Sequence, residues 1–248
     1  MSTTDHASPS GPARPGRGLD EVLDEVEATR LAGRTVMSTS ADRAARVVRE
    51  KVVEGDLRSG TRLPEERLSA ALGVSRNTLR EALSQLVAER ILVREPHRGV
   101  IVATPGIADV EDVYRVRLLV EPAALAHGDG HSPGRVAAVV AAVTEGQEAG
   151  ARGDWDAVAS ANQHFHRAVV SLAGSTRLDA QMDLLLAEMR LFFHQMGEPE
   201  RFHRPYLAEN AAIGDLLVAG DRLAAAERLD AYLGRARDQL VAAFRALD

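Results

Sequence analysis

The sequence predicts a mainly α-helical protein in which an N-terminal winged helix-turn-helix is followed by an all-helical bundle. Three stretches between residues 38 and 88 place their apolar residues at helical spacing. After Arg90 the spacing changes, and two β-rich triplets, 91–93 and 100–102, flank a loop that contains Gly99. From residue 105 onwards the spacing is helical again. Three helices followed by a hairpin are typical of a winged helix-turn-helix.

The first of these helices is predicted over 38–54. Ser40 is a suitable N-cap, and Gly55 ends the helix. The apolar face consists of residues that recur at three- and four-residue spacing, namely Ala41, Ala44, Ala45, Val48 and Val52. Residues 1–19 are rich in Ser, Pro, Gly and Arg, and residues 20–34 carry only a weak helical pattern. We therefore expect a disordered tail or a weak helix over 1–37.

The second and third helices form the helix-turn-helix. Pro64 starts the second helix, and the two glutamates that follow suit the positive end of the helix dipole. Gly73 is predicted to end this helix in the left-handed conformation, and Ser75 is predicted to cap the third helix over 76–88. The segment before Pro64 is expected to be extended, because proline restricts the residue that precedes it.

The C-terminal part is predicted to contain six helices separated by glycine and proline, among them Gly150, Gly174 and Gly220. The predicted ranges are 108–127, 134–149, 155–173, 176–196, 206–219 and 221–246. We therefore expect two domains, a winged one over 38–104 and an all-helical one over 105–248.

The composition excludes several classes of protein. The chain has 248 residues and no cysteine, which excludes a disulfide scaffold, a cysteine nucleophile and thiolate metal sites. The longest apolar run, 136–143, is far shorter than the roughly 18 residues that a membrane span needs. The N-terminus lacks the apolar core of a secretory signal. We therefore expect a cytoplasmic protein without a membrane partner.

The distribution of charge is more informative than its total. A net charge of −6 argues mildly against a nucleic-acid partner. Residues 1–37 carry a net charge of −2 and residues 105–248 carry −7, whereas residues 38–104 carry +3. The predicted winged domain is therefore a basic segment within an acidic protein, which favours a DNA-binding role for that segment.

The start of the third helix carries side chains that suit base recognition. In a helix-turn-helix the second helix of the motif enters the major groove with its N-terminal residues. Arg76 and Arg80 lie four residues apart on the face away from the apolar one, and arginine can bind guanine with two hydrogen bonds. Asn77 and Thr78 can contact bases or phosphate. The wing contributes two further candidates in its loop, Arg98 and Gly99.

The stretch GTRLPEERLSAALGVSRNTLREALSQLVAERILVREPHRGVIV resembles the DNA-binding domain of the GntR family of bacterial transcription regulators. The resemblance covers nearly all of 38–104. Many members have another contact arginine early in the second helix, and this sequence is one residue shorter there. Either Arg67 fills that role or Glu66 occupies its register. The resemblance implies DNA contacts by Arg76, Thr78, Arg80 and Gly99.

The C-terminal part resembles the FCD domain, the helical effector-binding and dimerisation domain of the FadR branch of that family. The similarity rests on VYRVRLLVEP at 113–122, on NQHFH at 162–166 with AGS at 173–175, and on Gly220 and Asp221 before the last helix. It implies that two copies of the chain associate and that a small molecule binds within the bundle.

Many members of this branch hold a divalent metal through an Asp or Asn and three histidines. The corresponding positions here are Asn162, His166, Asn210 and Tyr232, so one of the three histidines remains. Amide oxygens and a neutral tyrosine are weak ligands for transition metals. We therefore expect no cofactor, and any metal would be held by His166 with Asn162 and Asn210.

The same four residues have two other interpretations, either a hydrogen-bonded polar core or a metal-free pocket for a small polar effector. Arg117 and Arg190 lie on helices that, by the resemblance, line or approach this region. Each could bind an effector carboxylate through two hydrogen bonds, or could form an ion pair at the surface or between helices. We favour the pocket and a carboxylate ligand.

The sequence thus predicts a homodimeric regulator, most simply a repressor, that binds a pseudo-palindromic DNA operator and responds to a small metabolite. Two other classes remain open. One is a metal-dependent enzyme that uses His166 with carboxylates of the bundle, and the other is an interaction module whose winged domain no longer binds DNA.

Overall fold

The computed structural model describes residues 18–32, 39–53, 55–130, 132–196 and 199–247. The expected tail over 1–17 and residues 33–38 lie outside these ranges. Ten helices and three short strands occur within the described residues. The helices are α1 (Leu19–Ala32), α2 (Ser40–Val53), α3 (Glu65–Leu72), α4 (Arg76–Ala88), α5 (Ile107–His127), α6 (Pro133–Ala151), α7 (Trp155–Ser171), α8 (Thr176–Met196), α9 (Pro199–Val218) and α10 (Arg222–Arg245), and the strands are β1 (Arg62–Leu63), β2 (Leu92–Glu95) and β3 (Gly99–Val102).

The N-terminal elements form the predicted winged helix-turn-helix. The three strands make one antiparallel sheet in the order β1-β3-β2, in which Leu63 lies opposite Val100 and Leu92 lies opposite Val102. The apolar faces of α2, α3 and α4 pack together with this sheet in one hydrophobic core. The predicted fold class, mainly helical with the winged motif first and a helical bundle second, is confirmed.

Local chemistry sets the ends of the short helices. Gly73 has a φ of 62° and ends α3, and the Oγ of Ser75 accepts a hydrogen bond from the backbone N–H of Thr78 at 3.1 Å, so both predicted caps are confirmed. The predicted cap at Ser40 is wrong, because Thr39 precedes the first helical residue. The Oγ1 of Thr39 accepts from the N–H of Asp42, whose carboxylate accepts from the N–H of Thr39.

Helix α1 packs on the winged core through three buried apolar side chains, Val22, Leu23 and Val26. It packs mainly on α3, the first helix of the helix-turn-helix, and its Glu25 forms an ion pair with Lys51 of α2. On the exposed side of this contact, Asp20 forms an ion pair with Arg67. The weak helical pattern of this segment therefore corresponds to a helix whose short apolar stripe is covered by the winged domain.

Helices α5 to α10 form the bundle around a second hydrophobic core. The predicted start of α9 at residue 206 is wrong, because the helix begins at Pro199 and contains Pro205. A proline within a helix leaves the carbonyl four residues earlier without its usual donor. Here that carbonyl, on Arg201, accepts from the Nε2 of Gln239 on α10 at 3.4 Å. A hydrogen bond between helices thus offsets the intrahelical bond that Pro205 removes, and the helix continues through the proline.

Helix α8 belongs to both cores. Its side chains Ala187 and Leu191 lie in the winged core, whereas Met189 and Phe192 lie in the core of the bundle. The two domains therefore share a helix instead of meeting only through a linker. In the part of the chain that the structure describes, no helix is both long enough and apolar enough to cross a membrane.

Candidate nucleic-acid interface and candidate effector site

The two arginines of α4 lie on an exposed surface, as expected for a recognition helix. The side chains of Arg76 and Arg80 are 70% and 63% exposed. Each contacts a glutamate of the first turn of α3, Arg76 with Glu66 at 3.2 Å and Arg80 with Glu65 at 3.1 Å. Exposed ion pairs of this kind are weak, so DNA phosphates or bases can displace the glutamates.

The neighbouring candidates on α4 differ in accessibility. Asn77 is exposed at the N-terminus of the helix. Thr78 is half-buried, and its Oγ1 lies 2.9 Å from the Oγ of Ser75, so its hydroxyl takes part in the cap. Asn77 is therefore free to reach a base edge, whereas the hydroxyl of Thr78 is already engaged with Ser75.

The wing loop combines an exposed cation with an open backbone. Arg98 donates to the carboxylate of Glu95 at 2.6 Å, and its side chain is 62% exposed. Gly99 has a φ of 82°, and a Cβ at this position would meet no atom within 4 Å. The loop can therefore approach a DNA groove without hindrance from its own side chains.

For two basic residues near this surface, the position in the structure differs from the role that the sequence suggests. Arg67 points towards α1, where it pairs with Asp20, and lies apart from the paired arginines of α4. Arg94, which the sequence analysis missed, donates to the Oγ of Ser84 on α4 at 3.3 Å. Its position in a predicted wing strand beside a basic loop was the available signal, and Arg94 is exposed in the structure.

The centre of the bundle holds a continuous chain of buried hydrogen bonds. The Nε of Arg117 donates to Glu121 Oε1 at 2.6 Å, and Glu121 Oε2 lies 2.7 Å from the Nδ1 of His166. The Nε2 of His166 lies 3.0 Å from the hydroxyl of Tyr232, which is 3.0 Å from the Oδ1 of Asn162. The same Oδ1 accepts from Asn210 at 2.9 Å. Five of the six predicted effector residues therefore lie together.

Electrostatics fixes the protonation states in this chain. Burial alone would raise the pKa of Glu121, but the charge of Arg117 and the hydrogen bonds from His166 and Arg117 hold that pKa below its ordinary value. Burial lowers the pKa of His166. A carboxylate can only accept, so a neutral His166 carries its proton on Nδ1 and leaves Nε2 to accept from Tyr232. The single hydroxyl proton of Tyr232 must then serve either His166 or Asn162.

Two buried polar atoms of this hydrogen-bonded network have no hydrogen-bond partner, the Nη2 of Arg117 and the Oδ1 of Asn210. Arg117 is 1% exposed and lies over the ring of Tyr114, with its guanidinium carbon 4.8 Å from the ring centroid. Buried polar groups are normally bonded. One unused donor and one unused acceptor therefore mark this centre as a place where a small polar molecule could bind.

The sixth predicted residue, Arg190, lies elsewhere. Its Nε donates to the carbonyl of Val53, the last residue of α2, at 2.9 Å, and its Nη2 donates to the Oγ of Ser160 on α7 at 3.4 Å. It thus lies at the boundary between the winged domain and the bundle. Arg190 was expected to line or approach the same region as Arg117, but it does not join the hydrogen-bonded network around His166.

The donor set in the bundle does not suit a divalent metal. Both ring nitrogens of His166 are engaged, one with Glu121 and the other with Tyr232. Within the described ranges, no group of three or more His, Asp or Glu side chains is arranged to hold an ion. Asn162 and Asn210 supply amide groups, and one amide oxygen is already shared by two donors.

Two residues of the bundle lie outside the candidate site that the sequence predicts. Glu121 neutralises Arg117, and its position four residues later on the same helix was the available signal. His203 is 1% exposed and packs between the rings of Phe193 and Phe202, at centroid distances of 4.8 and 5.0 Å. Nothing in its sequence context indicates that burial.

The comparisons with known proteins agree with both halves of the fold. Residues 40–102 match the family described as bacterial regulatory proteins, gntR family, and residues 112–235 match the FCD domain. The HTH-type transcriptional regulator BphR of Paraburkholderia xenovorans (strain LB400) is 29% identical over 184 residues, which cover 70% of this chain and 74% of BphR. The gluconate operon transcriptional repressor of Bacillus subtilis (strain 168) is 38% identical over 79 residues, 32% of each chain.

Solved structures extend the likeness over both domains. A GntR transcriptional regulator from Rhodococcus sp. RHA1 is 38% identical, covers 84% of this chain and 100% of its own, and superposes with a TM-score of 0.78. Escherichia coli McbR/YncC, at 22% identity and a TM-score of 0.70, shares the fold. The chain therefore belongs to the GntR family of bacterial DNA-binding transcriptional regulators and carries an FCD effector domain.

Proposed function

We propose that the protein is a homodimeric, ligand-responsive repressor that binds a pseudo-palindromic operator. Residues 38–104 would read the DNA, and residues 105–248 would bind a small carboxylate metabolite and join the two copies. The exposed pair Arg76 and Arg80 at the start of α4 is the observation that carries the DNA-binding part. The repressor role is supported by the name of the Bacillus subtilis relative, which matches the winged part alone.

The unpaired Nη2 of Arg117 and the unpaired Oδ1 of Asn210 support an effector in the bundle. A metabolite that supplies an acceptor to the first atom and a donor to the second would complete a network that is otherwise closed. Such a ligand acts on DNA binding only through different affinities for the two arrangements of the winged domains.

An enzyme is the weaker candidate. The buried carboxylate of Glu121 is held between Arg117 and His166, so its two oxygens are occupied. The described residues offer no cluster that would hold a catalytic metal at His166. We therefore propose regulation without turnover, in the cytoplasm, with double-stranded DNA and a second copy of the chain as the macromolecular partners.

The DNA-binding claim is tested by a gel shift with the duplex upstream of the protein's own gene. Replacing both Arg76 and Arg80 with alanine should lower the affinity about 100-fold, since each arginine that reads a guanine contributes about 1–3 kcal/mol. The matched control replaces Arg115 and Arg237, two exposed arginines of the bundle that also pair with aspartates. Equal losses in both double variants would refute the assignment of α4, and a monomer in sedimentation would refute the dimer.

A further inference from the structure

Arg190 is a buried cation without a counter-ion. It is 7% exposed, and its two hydrogen bonds go to neutral acceptors, the carbonyl of Val53 and the hydroxyl of Ser160. In the part of the chain that the structure describes, no carboxylate lies within ion-pair distance of it. Asp156 acts on its charge only at longer range. A buried charge normally has an ionic partner, so an anion is missing from this arrangement.

Two histidines near Arg190 have unused ring nitrogens, and of these His203 is buried and His194 is half-buried. His194 lies one helical turn further along α8, and its Nδ1 has no hydrogen-bond partner. His203, on α9, has no partner at either nitrogen. Its ring packs against Phe193, which follows Arg190 by three residues on the same face of α8. Burial lowers the pKa of both histidines, and the charge of Arg190 lowers both further, with Arg58 also acting on His194 and His166 on His203.

We propose that Arg190, His194 and His203 form a carboxylate-binding site at the boundary of the two domains, separate from the chain around His166. The guanidinium would donate to the carboxylate, and the histidines would add neutral N–H donors. One negative charge balances the one positive charge, whereas a dianionic phosphate would leave a buried net charge. This inference rests on the proposed ligand response and specifies the ligand's charge and position.

Arg117 is the less suitable partner for the same anion. It forms an ion pair with Glu121 at 2.6 Å, and both side chains are fully buried. A second carboxylate there would leave an uncompensated negative charge in the bundle. Of the two buried arginines, Arg190 is therefore the better partner for an anionic ligand, because the charge of Arg117 is already neutralised by Glu121.

The position of the site gives it a route to the winged domain. Arg190 donates to the carbonyl of Val53, and the ring of His194 lies against Gly55, where a Cβ would be 3.0 Å from its Nε2. Val53 and Gly55 lie at the C-terminal end of α2, and α2 packs against the recognition helix α4. A carboxylate that draws the guanidinium towards itself would weaken its bond to Val53 and alter how α2 is held.

The test uses the full-length protein with sodium acetate, pyruvate, L-lactate and succinate, and with sodium chloride and phosphate at equal ionic strength as controls. Binding is followed by thermal shift and calorimetry. We expect at least one of the carboxylates to bind and to stabilise the protein. Arg190→Gln and His203→Phe should each weaken that carboxylate about tenfold or more, since each removes a donor to a charged group. Arg237→Gln, which changes an exposed arginine of α10 outside both polar centres, should leave its affinity unchanged.

The possible failures are distinguishable when DNA affinity is measured in parallel on a random-sequence duplex, which also reports that each variant folds. Binding of no carboxylate, equal binding by wild type and Arg190→Gln, or equal stabilisation by phosphate would overturn the site. Tyr232→Phe is measured as well, because a loss of binding in that variant and not in Arg190→Gln would overturn the site and place the ligand around His166. If Arg190 binds a carboxylate that never alters DNA affinity, the site stands and the proposed ligand response fails.

Discussion

Two ion pairs with the same separation lie in opposite surroundings in this protein. Arg98 and Glu95 in the wing are 2.6 Å apart and largely exposed, and Arg117 and Glu121 in the bundle are 2.6 Å apart and fully buried. Distance alone would rank them as equals. Because the first pair is exposed, its ionic contact is easily exchanged for contacts with DNA. Because the second pair is buried, the folded bundle depends on it.

The same contrast extends over both regions. In the winged domain the arginines of α4 pair with glutamates across an exposed surface. In the bundle, polar side chains are linked one to the next, so that each depends on its neighbour's protonation state and orientation. An exposed set can therefore be remodelled residue by residue, whereas a change at one position of the buried chain is felt at the next.

The strongest challenge to this comparison is Glu121→Ala. It leaves Arg117 buried without a counter-ion and His166 without its acceptor, so we expect a loss of about 3–5 kcal/mol in the free energy of unfolding, measured by urea denaturation. The matched variant Glu95→Ala should lose no more than about 1 kcal/mol. Similar losses in the two variants would show that burial does not separate the pairs.

The next largest effect on the free energy of unfolding is expected at Glu188, a carboxyl group at the domain boundary. Glu188 is buried on α8 near Arg90, Asp109 and Asp112, and burial raises its pKa to about 7. Because its folded pKa lies above its unfolded value, Glu188 destabilises the protein increasingly as pH rises from about 4.5 to 7.

Glu188→Gln should therefore stabilise the protein at pH 8, by up to about 3 kcal/mol, and have little effect at pH 4.5. Urea denaturation at both pH values measures the difference. The acidic neighbours Asp109 and Asp112 raise the pKa of Glu188 and Arg90 lowers it. A gain of the same size at both pH values would point to packing and contradict the titration.

Removing one hydroxyl from the buried chain should have a smaller effect. Tyr232→Phe keeps the ring stacked on Tyr206, at a centroid distance of 4.5 Å, but deprives His166 Nε2 of its partner. We expect a loss of about 1–2 kcal/mol in the free energy of unfolding, measured by urea denaturation. An unchanged stability would mean that His166 and Asn162 do not depend on the tyrosine.

The smallest expected effect concerns the exposed pairs of α3 and α4. Glu66→Gln removes the partner of Arg76 and a negative charge beside the recognition helix. We expect a two- to fivefold higher affinity for a random-sequence duplex, corresponding to about 0.5–1 kcal/mol, measured by fluorescence anisotropy. Glu227→Gln, an exposed glutamate on α10, provides the control. A lower affinity would mean that Glu66 supports the DNA-bound orientation of Arg76.

The elements that local chemistry determines could be predicted from sequence, and those that tertiary contacts determine could not. The turn from Gly73 to Ser75 and the start of α4 follow from a left-handed glycine and a serine cap. The start of α9 involves Gln239, a residue on another helix, which donates to the carbonyl whose usual helical donor Pro205 removes.

The candidate sites follow the same division. The grouping of Asn162, His166, Asn210 and Tyr232 was predicted from a family pattern, and the structure brings them together. The pairing of Arg117 with Glu121, and the separation of Arg190 from both, depend on how helices and domains pack. Spacing along one helix does not show whether a side chain points into its own domain or towards the next.

Helix α8 has a consequence for exchanging parts between members of the family. Since Ala187 and Leu191 complete the winged core from within the FCD domain, a chain cut after residue 104 would lose part of that core. A chimera that joins this winged domain to a foreign FCD domain would need compatible side chains at both positions. The modules are therefore interchangeable only as matched sets, and divergence of the effector domain is constrained along one face of α8.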